Sequence, residues 1–494
     1  MELILIIIYG LALLFIFCYS LIQLQLVFKY HRYKKAQKLR QKFVKEGNAW
    51  PKVTVQLPIF NEKYVAERLI ECLAQLDYPL DCLEIQVLDD STDETVDISR
   101  KKVIEIKQKG IDITHLHRTD RKGFKAGALA EGLEVAKGEF IAIFDADFLP
   151  EKNFLKRIVP QFVDEKIGLI QSKWKHINER YSLLTKLQAF GLDAHFTVEQ
   201  GGRNAGGHFI NFNGTAGIWR KSAIQDAGGW QSDTLTEDLD LSYRAQLKGW
   251  KFLFMEEVGA PAELPAAMNA LKTQQFRWNK GAAECTRKNL GKVLFNTELG
   301  LGTKLNAIFH LMNSAVFICI ILLALLSLPM LAIKEHFSEY DLLFNIAGFF
   351  LISLPILALF YWTSMSSQYS SKPKAFLHFL VLFPSFLAVS MGLSLHNALA
   401  VLEGYIGKKT PFIRTPKFDL TDDKTKRWNS NHYLKKGLSL LTFLEFLLAI
   451  YFLGGIFLGF QYQDYGLMPF HFLLFLGFAY VSIFSFTHAF KTAR

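Results

Sequence analysis

The chain has 494 residues, half of them hydrophobic, and a formal net charge of +10. That length holds more than one domain, and five cysteines without CxxC or Cys/His spacing exclude a disulfide scaffold and a zinc module. Much of the positive charge lies beside apolar runs, as at a membrane surface, so no nucleic-acid partner is expected.

Residues 3–28 are apolar enough for a spanning helix, which needs roughly 20 such residues. Glu2 stands where a secretory signal carries basic residues, and no small-residue cleavage pattern follows. Residues 1–28 therefore read as a retained anchor. The next stretch, 29–50, opens KYHRYKKAQKLRQKFVK. The positive-inside rule places it and the region up to 300 in the cytoplasm, with the N-terminus outside.

From Val53 the pattern changes. VTVQLPIF, LEIQVLDD, ITHLHR, FIAIFDAD and IGLIQSKW are short, β-branched and bounded by polar turns, as buried strands are. Helical stretches at 62–76, 94–109, 125–136 and 151–163 separate them. This alternation predicts an α/β domain over 51–300, with a mostly parallel sheet and helices on both faces.

Beyond it, apolar runs occupy about 307–333, 342–364, 375–402, 437–460 and 467–490. If all crossed, the basic loop at 404–436 would lie outside, against the charge rule. The run 375–402 contains His378, Pro384, His396 and Asn397. It is therefore expected along the interface, leaving five spans in all. The chain end, 491–494, then also lies inside. The membrane domain is 301–494.

Sheets of this kind bind ligands beyond the carboxyl ends of their strands. Two predicted strands end there in acids, Asp89-Asp90 and Asp145-Ala-Asp147. Paired aspartates suit hard cations such as Mg2+ or Mn2+, which take carboxylate and phosphate oxygens. Asp89 and Asp90 suit hydrogen bonds from a base and ribose, although Ser91 and Glu94 also fit a capping box. Thr234 and Glu237 fit a second box. Next to it, Asp238 suits a base that takes a proton from an acceptor hydroxyl. Farther on, Arg277 offers a planar fork for a diphosphate and Trp278 a flat face for a sugar ring.

Taken in order, PIFNE (58–62), DDSTD (89–93), KAG (125–127), DAD (145–147), FNGT (212–215), TED (236–238) and QxxRW (274–278) resemble the processive family 2 glycosyltransferases of the cellulose synthase superfamily. QSKW at 171–174 and SLH at 394–396 resemble its cellulose-synthase-like mannan and glucan synthases. The resemblance implies a GT-A-type catalytic domain and an inverting hexosyltransferase. It would use a nucleotide-sugar donor, UDP-glucose or GDP-mannose, with Mg2+ or Mn2+.

By position, Glu62, Asp89, Asp90, Lys125, Asp145, Gln274 and Arg277 would bind the donor. Asp147 with Asp145 would hold the metal, and Asp238 would be the base. Gly214, Thr215 and Trp278 would face the acceptor. A gating loop of form FxVTxK is matched by Phe412, Thr415 and Lys417, with Arg414 and Pro416 as departures.

The expected product is a β-linked polysaccharide, elongated processively and passed between the membrane spans. The alternative is transfer of one sugar to a membrane lipid, ceramide or diacylglycerol. A bacterial inner membrane or a plasma membrane is the favoured location, with the Golgi as alternative. Protein partners are unknown.

Overall fold

The structure, a computed structural model, describes residues 1–40, 50–422, 428, 431, 433–434 and 439–491. Residues 41–49 of the basic linker lie outside the described residues, as do 423–427, 429–430, 432 and 435–438 of the 404–436 loop and the terminal 492–494.

Seven strands form the catalytic sheet: β1 (Val53–Ile59), β2 (Leu83–Asp89), β3 (Asp112–His117), β4 (Phe140–Ile143), β5 (Ile167–His176), β6 (Gly217–Arg220) and β7 (Lys251–Ala262). Their order is β3-β2-β1-β4-β6-β5-β7. β1 pairs in parallel with β2 and β4, β2 with β3, and β5 with β7. β6 runs antiparallel to both of its neighbours. β1 and β2 are buried along their whole length, as a sheet covered on both faces requires. One face packs Val53, Val55 and Ile85 against Leu69, Ile70 and Val103; the other packs Ile141 and Ile143 against Leu129, Phe212 and Leu241. The result is the mixed sheet with flanking helices of a GT-A-type domain.

Six helical segments are long and apolar enough to cross a membrane: Glu2–Lys35, Ala315–His336, Ser338–Gln368, Lys372–Gly392, Leu440–Gln461 and Met468–Ala489. That is one more than the expected five, because Lys372–Gly392, within the run expected at the interface, also qualifies by length and composition. Lys372–Gly392 ends at Leu393, and a second helix, Ser394–Ile406, departs from it.

Both legs of this hairpin meet the catalytic domain. Phe379 and Phe386 of the first leg ring Phe190, which lies on the catalytic-domain helix Leu183–Ala194. His396 of the second leg reaches the Lys272 carbonyl at 2.9 Å, and Glu403 pairs with Lys280 at 3.0 Å. At the bend, Gly392 lies on Gly477 of the last helix. A Cβ on Gly392 would fall 2.2 Å from the Gly477 carbonyl oxygen. Small residues permit this backbone approach between apolar helices. The bend therefore packs on the last apolar helix, and each leg also touches the α/β domain.

The catalytic domain is tied to the membrane helices by a buried ion pair, Lys272 with Glu445 at 2.5 Å. Replacing Lys272 alone with Met leaves a buried carboxylate unpaired, which costs roughly 3–5 kcal/mol. The apparent melting temperature of Lys272→Met in detergent should fall clearly, and Lys272→Met with Glu445→Leu should recover most of it. A single variant as stable as the parent would show that the pair does not tie the two parts together.

Candidate active site

The site lies where the strand ends of β1, β2 and β4 meet the helix Met268–Phe295 and the loop at 410–420. One cavity is lined by Asp90, Lys125, Asp145, Asp147, Gly214, Asp238, Gln274, Arg277, Trp278, Phe412, Thr415 and Lys417. Residues more than 300 positions apart in sequence thus face one space. Glu62, Asp89 and Thr215 stand behind it.

Strand geometry places the acids. β4 is short, so the chain leaves the sheet at Ile143 and presents Asp145 and Asp147 beyond its end. Thr215 fixes this turn, its hydroxyl accepting the Asp145 backbone N–H at 2.9 Å. Lys125 Nζ donates to Asp145 Oδ1 at 2.6 Å and to the Gly214 carbonyl at 2.8 Å. Burial pushes the Asp145 carboxyl up, but Lys125 and Arg414 outweigh it and hold it below the ordinary value.

Asp147 is buried. Its Oδ2 accepts from Lys417 Nζ at 2.8 Å and from the Glu263 N–H at 3.3 Å, while Oδ1 is buried with no hydrogen-bond partner. Such an orphaned carboxylate oxygen is the observation that fits a cation. Among the described residues no three His, Cys, Asp or Glu side chains form a complete cage.

Asp89 and Asp90, expected from sequence to meet the nucleoside, lie at the end of β2 and have protein partners of their own. Asp89 is buried, accepting from the Ser91 N–H at 2.9 Å and contacting His115 Nε2 at 2.8 Å. Burial raises its carboxyl, and the His115 and Ser91 bonds bring it below its ordinary value. Asp90 reaches the cavity wall but is gripped by both nitrogens of an Arg118 fork, at 2.7 and 2.6 Å. Neither capping box forms, since the helices Thr95–Gln108 and Glu237–Leu247 start without a side-chain cap. Ser91 Oγ instead accepts the Asn61 N–H, and Glu284 takes the Leu235 N–H.

Asp238 opens the helix Glu237–Leu247, its Oδ1 accepting the Leu239 N–H at 2.8 Å. Gly214 (φ +79°) lies beside the other oxygen, where a Cβ would stand 3.1 Å from Asp238 Oδ2. Only glycine combines that backbone with open space next to the carboxylate. Burial, then the neighbouring Glu237, raise the Asp238 carboxyl above its ordinary value, with Lys125 opposing them.

Gln274, Arg277 and Trp278 occupy one face of the helix Met268–Phe295, being three and four residues apart. Trp278 stands 6.5 Å from Trp174, which packs on Phe148 and Phe196. Arg277 lies 4.7 Å from the Phe412 ring, and Phe412 stacks on Phe124.

The loop is held across the cavity by several contacts. Arg414 pairs with Glu62 at 2.6 Å, which gives the departure from valine a partner. Glu263 accepts the Phe418 and Asp419 N–H groups at 2.9 Å each, and Arg68 pairs with Asp419.

Sequence reading did not single out Arg121 or His195, and took Asn213 only as part of FNGT. Asn213 lines the cavity, and its side-chain oxygen lies 3.1 Å from His195 Nε2, on a π-turn that also aligns Glu199 with Arg203. The one available signal for Arg121 was the basic run RTDRKGFK between a strand end and a helix start.

The sequence pattern described as "Glycosyltransferase like family 2" matches residues 51–281. A glucomannan 4-beta-mannosyltransferase 1 of Oryza sativa is 40% identical over 312 residues, covering 59% of this chain and 59% of that protein. A glucomannan 4-beta-mannosyltransferase 9 of Arabidopsis thaliana is 40% identical over 309 residues, covering 60% of this chain and 58% of that protein. This chain thus spans rather more than half the length of these relatives. Both are plant proteins, so they give no support to a bacterial inner membrane. A solved mannosyltransferase from Pyrobaculum calidifontis, in complex with GDP-Man and Mn2+, is 18% identical with a TM-score of 0.49, covering 79% of this chain and all of that one. With the match over residues 51–281, a GT-A-type sheet and carboxylates gathered at its strand ends, residues 51–281 carry a glycosyltransferase family 2 domain.

Proposed function

We propose that this chain is an inverting hexosyltransferase that extends a β-linked polysaccharide from a nucleotide-sugar donor, UDP-glucose or GDP-mannose, and passes the product between its own membrane helices. Asp238 takes the proton of the acceptor hydroxyl as that oxygen bonds to the anomeric carbon and the bond to the diphosphate breaks. Arg277 and Lys125 face the departing diphosphate. Asp147, with Asp145, would hold Mg2+ or Mn2+. A divalent cation there supplies charge neutralisation for the leaving group. Trp278 supports the acceptor sugar.

The observation that carries the processive reading is the placement of Trp278. It walls the catalytic cavity, and it also walls a second cavity with Phe317, Tyr361, Phe386 and Leu393, among the membrane helices. An acceptor stacked on Trp278 would lie between the reacting carbon and the bundle. The names of the relatives favour mannosyl transfer. The basic residues flanking the anchor favour a cytoplasmic catalytic domain. The hairpin at 372–406 favours it too, since each leg touches the α/β domain and it need not cross.

Purified full-length protein in lipid nanodiscs, given radiolabelled GDP-mannose or UDP-glucose with Mn2+, should yield a polymer cleaved by an endo-acting β-mannanase or β-glucanase. If label appeared only in singly glycosylated lipid, the processive reading would be lost.

A further inference from the structure

We propose that Arg121 reads the base of the donor nucleotide and selects guanine, making GDP-sugars the donors; this rests on the nucleotide-sugar reading above. The sheet order places the residue. Phe60, Asp90 and Arg121 follow β1, β2 and β3, on the β3-β2-β1 side of the sheet, and all three line the cavity. The metal-type carboxylates follow β4, one strand further across, and Asp238 and Trp278 come from helices beyond it. A donor whose phosphates meet Asp145 and Asp147 thus carries its base toward Phe60 and Arg121.

The guanidinium carbon of Arg121 lies 3.3 Å from the Phe60 ring centroid and 5.1 Å from that of Phe124. At these distances the guanidinium packs against both rings at the wall of the cavity. Its Nε is buried without a hydrogen-bond partner. Among the described residues no carboxylate pairs with it, because the nearby Asp90 is gripped through both oxygens by Arg118. With Asp89 and Asp90 engaged by protein partners, Arg121 brings to this end of the cavity a fork of donors that no carboxylate pairs with among the described residues.

A fork of donors discriminates between bases. Guanine presents two adjacent acceptors, O6 and N7, which an arginine engages together. Uracil presents O4 beside an N–H donor, so it satisfies one arm only. Adenine places a donor beside N7 and is also mismatched.

The test is equilibrium binding of GDP and of UDP, each with Mn2+, to the full-length chain in nanodiscs. The parent should bind GDP roughly tenfold or more tightly than UDP, the range for one bidentate base contact. Arg121→Lys keeps the charge and loses the fork. It should weaken GDP until the two affinities lie within about twofold of each other, leaving UDP nearly unchanged. Retained UDP binding also reports that the variant is folded.

An equal loss for both nucleotides would make Arg121 a phosphate contact and overturn the assignment. So would a parent that prefers UDP, or a variant that keeps the parent ratio. If the parent bound neither nucleotide, the glycosyltransferase reading would itself fall, a result distinct from tight binding without discrimination.

Discussion

Asp238→Asn should hold donor binding within about twofold of the parent while turnover falls by roughly 10²–10⁴. The substitution preserves shape, and the amide oxygen can still accept the Leu239 N–H that fixes the side chain. It removes the ability to accept the acceptor's proton. Lys125 and Asp145, proposed to face the donor, remain paired as before.

The same residue sets the acid limb of the pH profile. Only the ionised carboxylate acts as a base. Burial and Glu237 raise its pKa, and Lys125 and Arg277 are the cations that oppose this across the pair. Activity should therefore begin to fall at a higher pH than a free aspartate, titrating near about 4, would impose. Single-turnover kinetics from pH 5 to 8 would check this, and Asp238→Asn with normal kcat would remove the base assignment.

Much of the catalytic half is legible in the sequence because it is built from elements that each carry a local signal. β1, β2 and β4 are short apolar runs ending in polar residues, and the acids that matter sit at those ends. β6 and β7 escaped notice for physical reasons. GIWR is four residues long and follows a turn. KFLFMEEVGAPA carries two adjacent acids mid-strand, and its register against β5 breaks between Ser172 and Lys173.

What sequence could not provide is pairing across distance. Arg414 reads as a departure from a loop motif until Glu62, at the far end of the domain, lies 2.6 Å away. Nothing near Asp89 and Asp90 in sequence signals their partners His115 and Arg118, on and just after β3. Hydropathy alone also does not show that the run at 375–402 divides into two helices at Leu393.

Asp147→Ala should abolish the stimulation of donor binding by Mg2+ or Mn2+ and lower turnover by at least about two orders of magnitude, consistent with the several kcal/mol a cation contributes at a leaving group. The reason lies in how its two oxygens are used. Oδ2 is met by Lys417 from the loop, whereas Oδ1 is buried and unpaired. Leaving a buried acceptor unsatisfied costs about 1–3 kcal/mol, a strain that a bound cation would relieve.

Lys417→Met separates the two contributions. It removes the loop's contact but leaves Asp147 and Asp145 in place, so donor affinity should fall while the response to added metal persists. Titrating Mn2+ against donor binding in both variants distinguishes a metal ligand from a partner of the loop. Should Asp147→Ala respond to Mn2+ as the parent does, the buried oxygen would belong to the loop's closure alone and the cation would have to be sought elsewhere in the cavity.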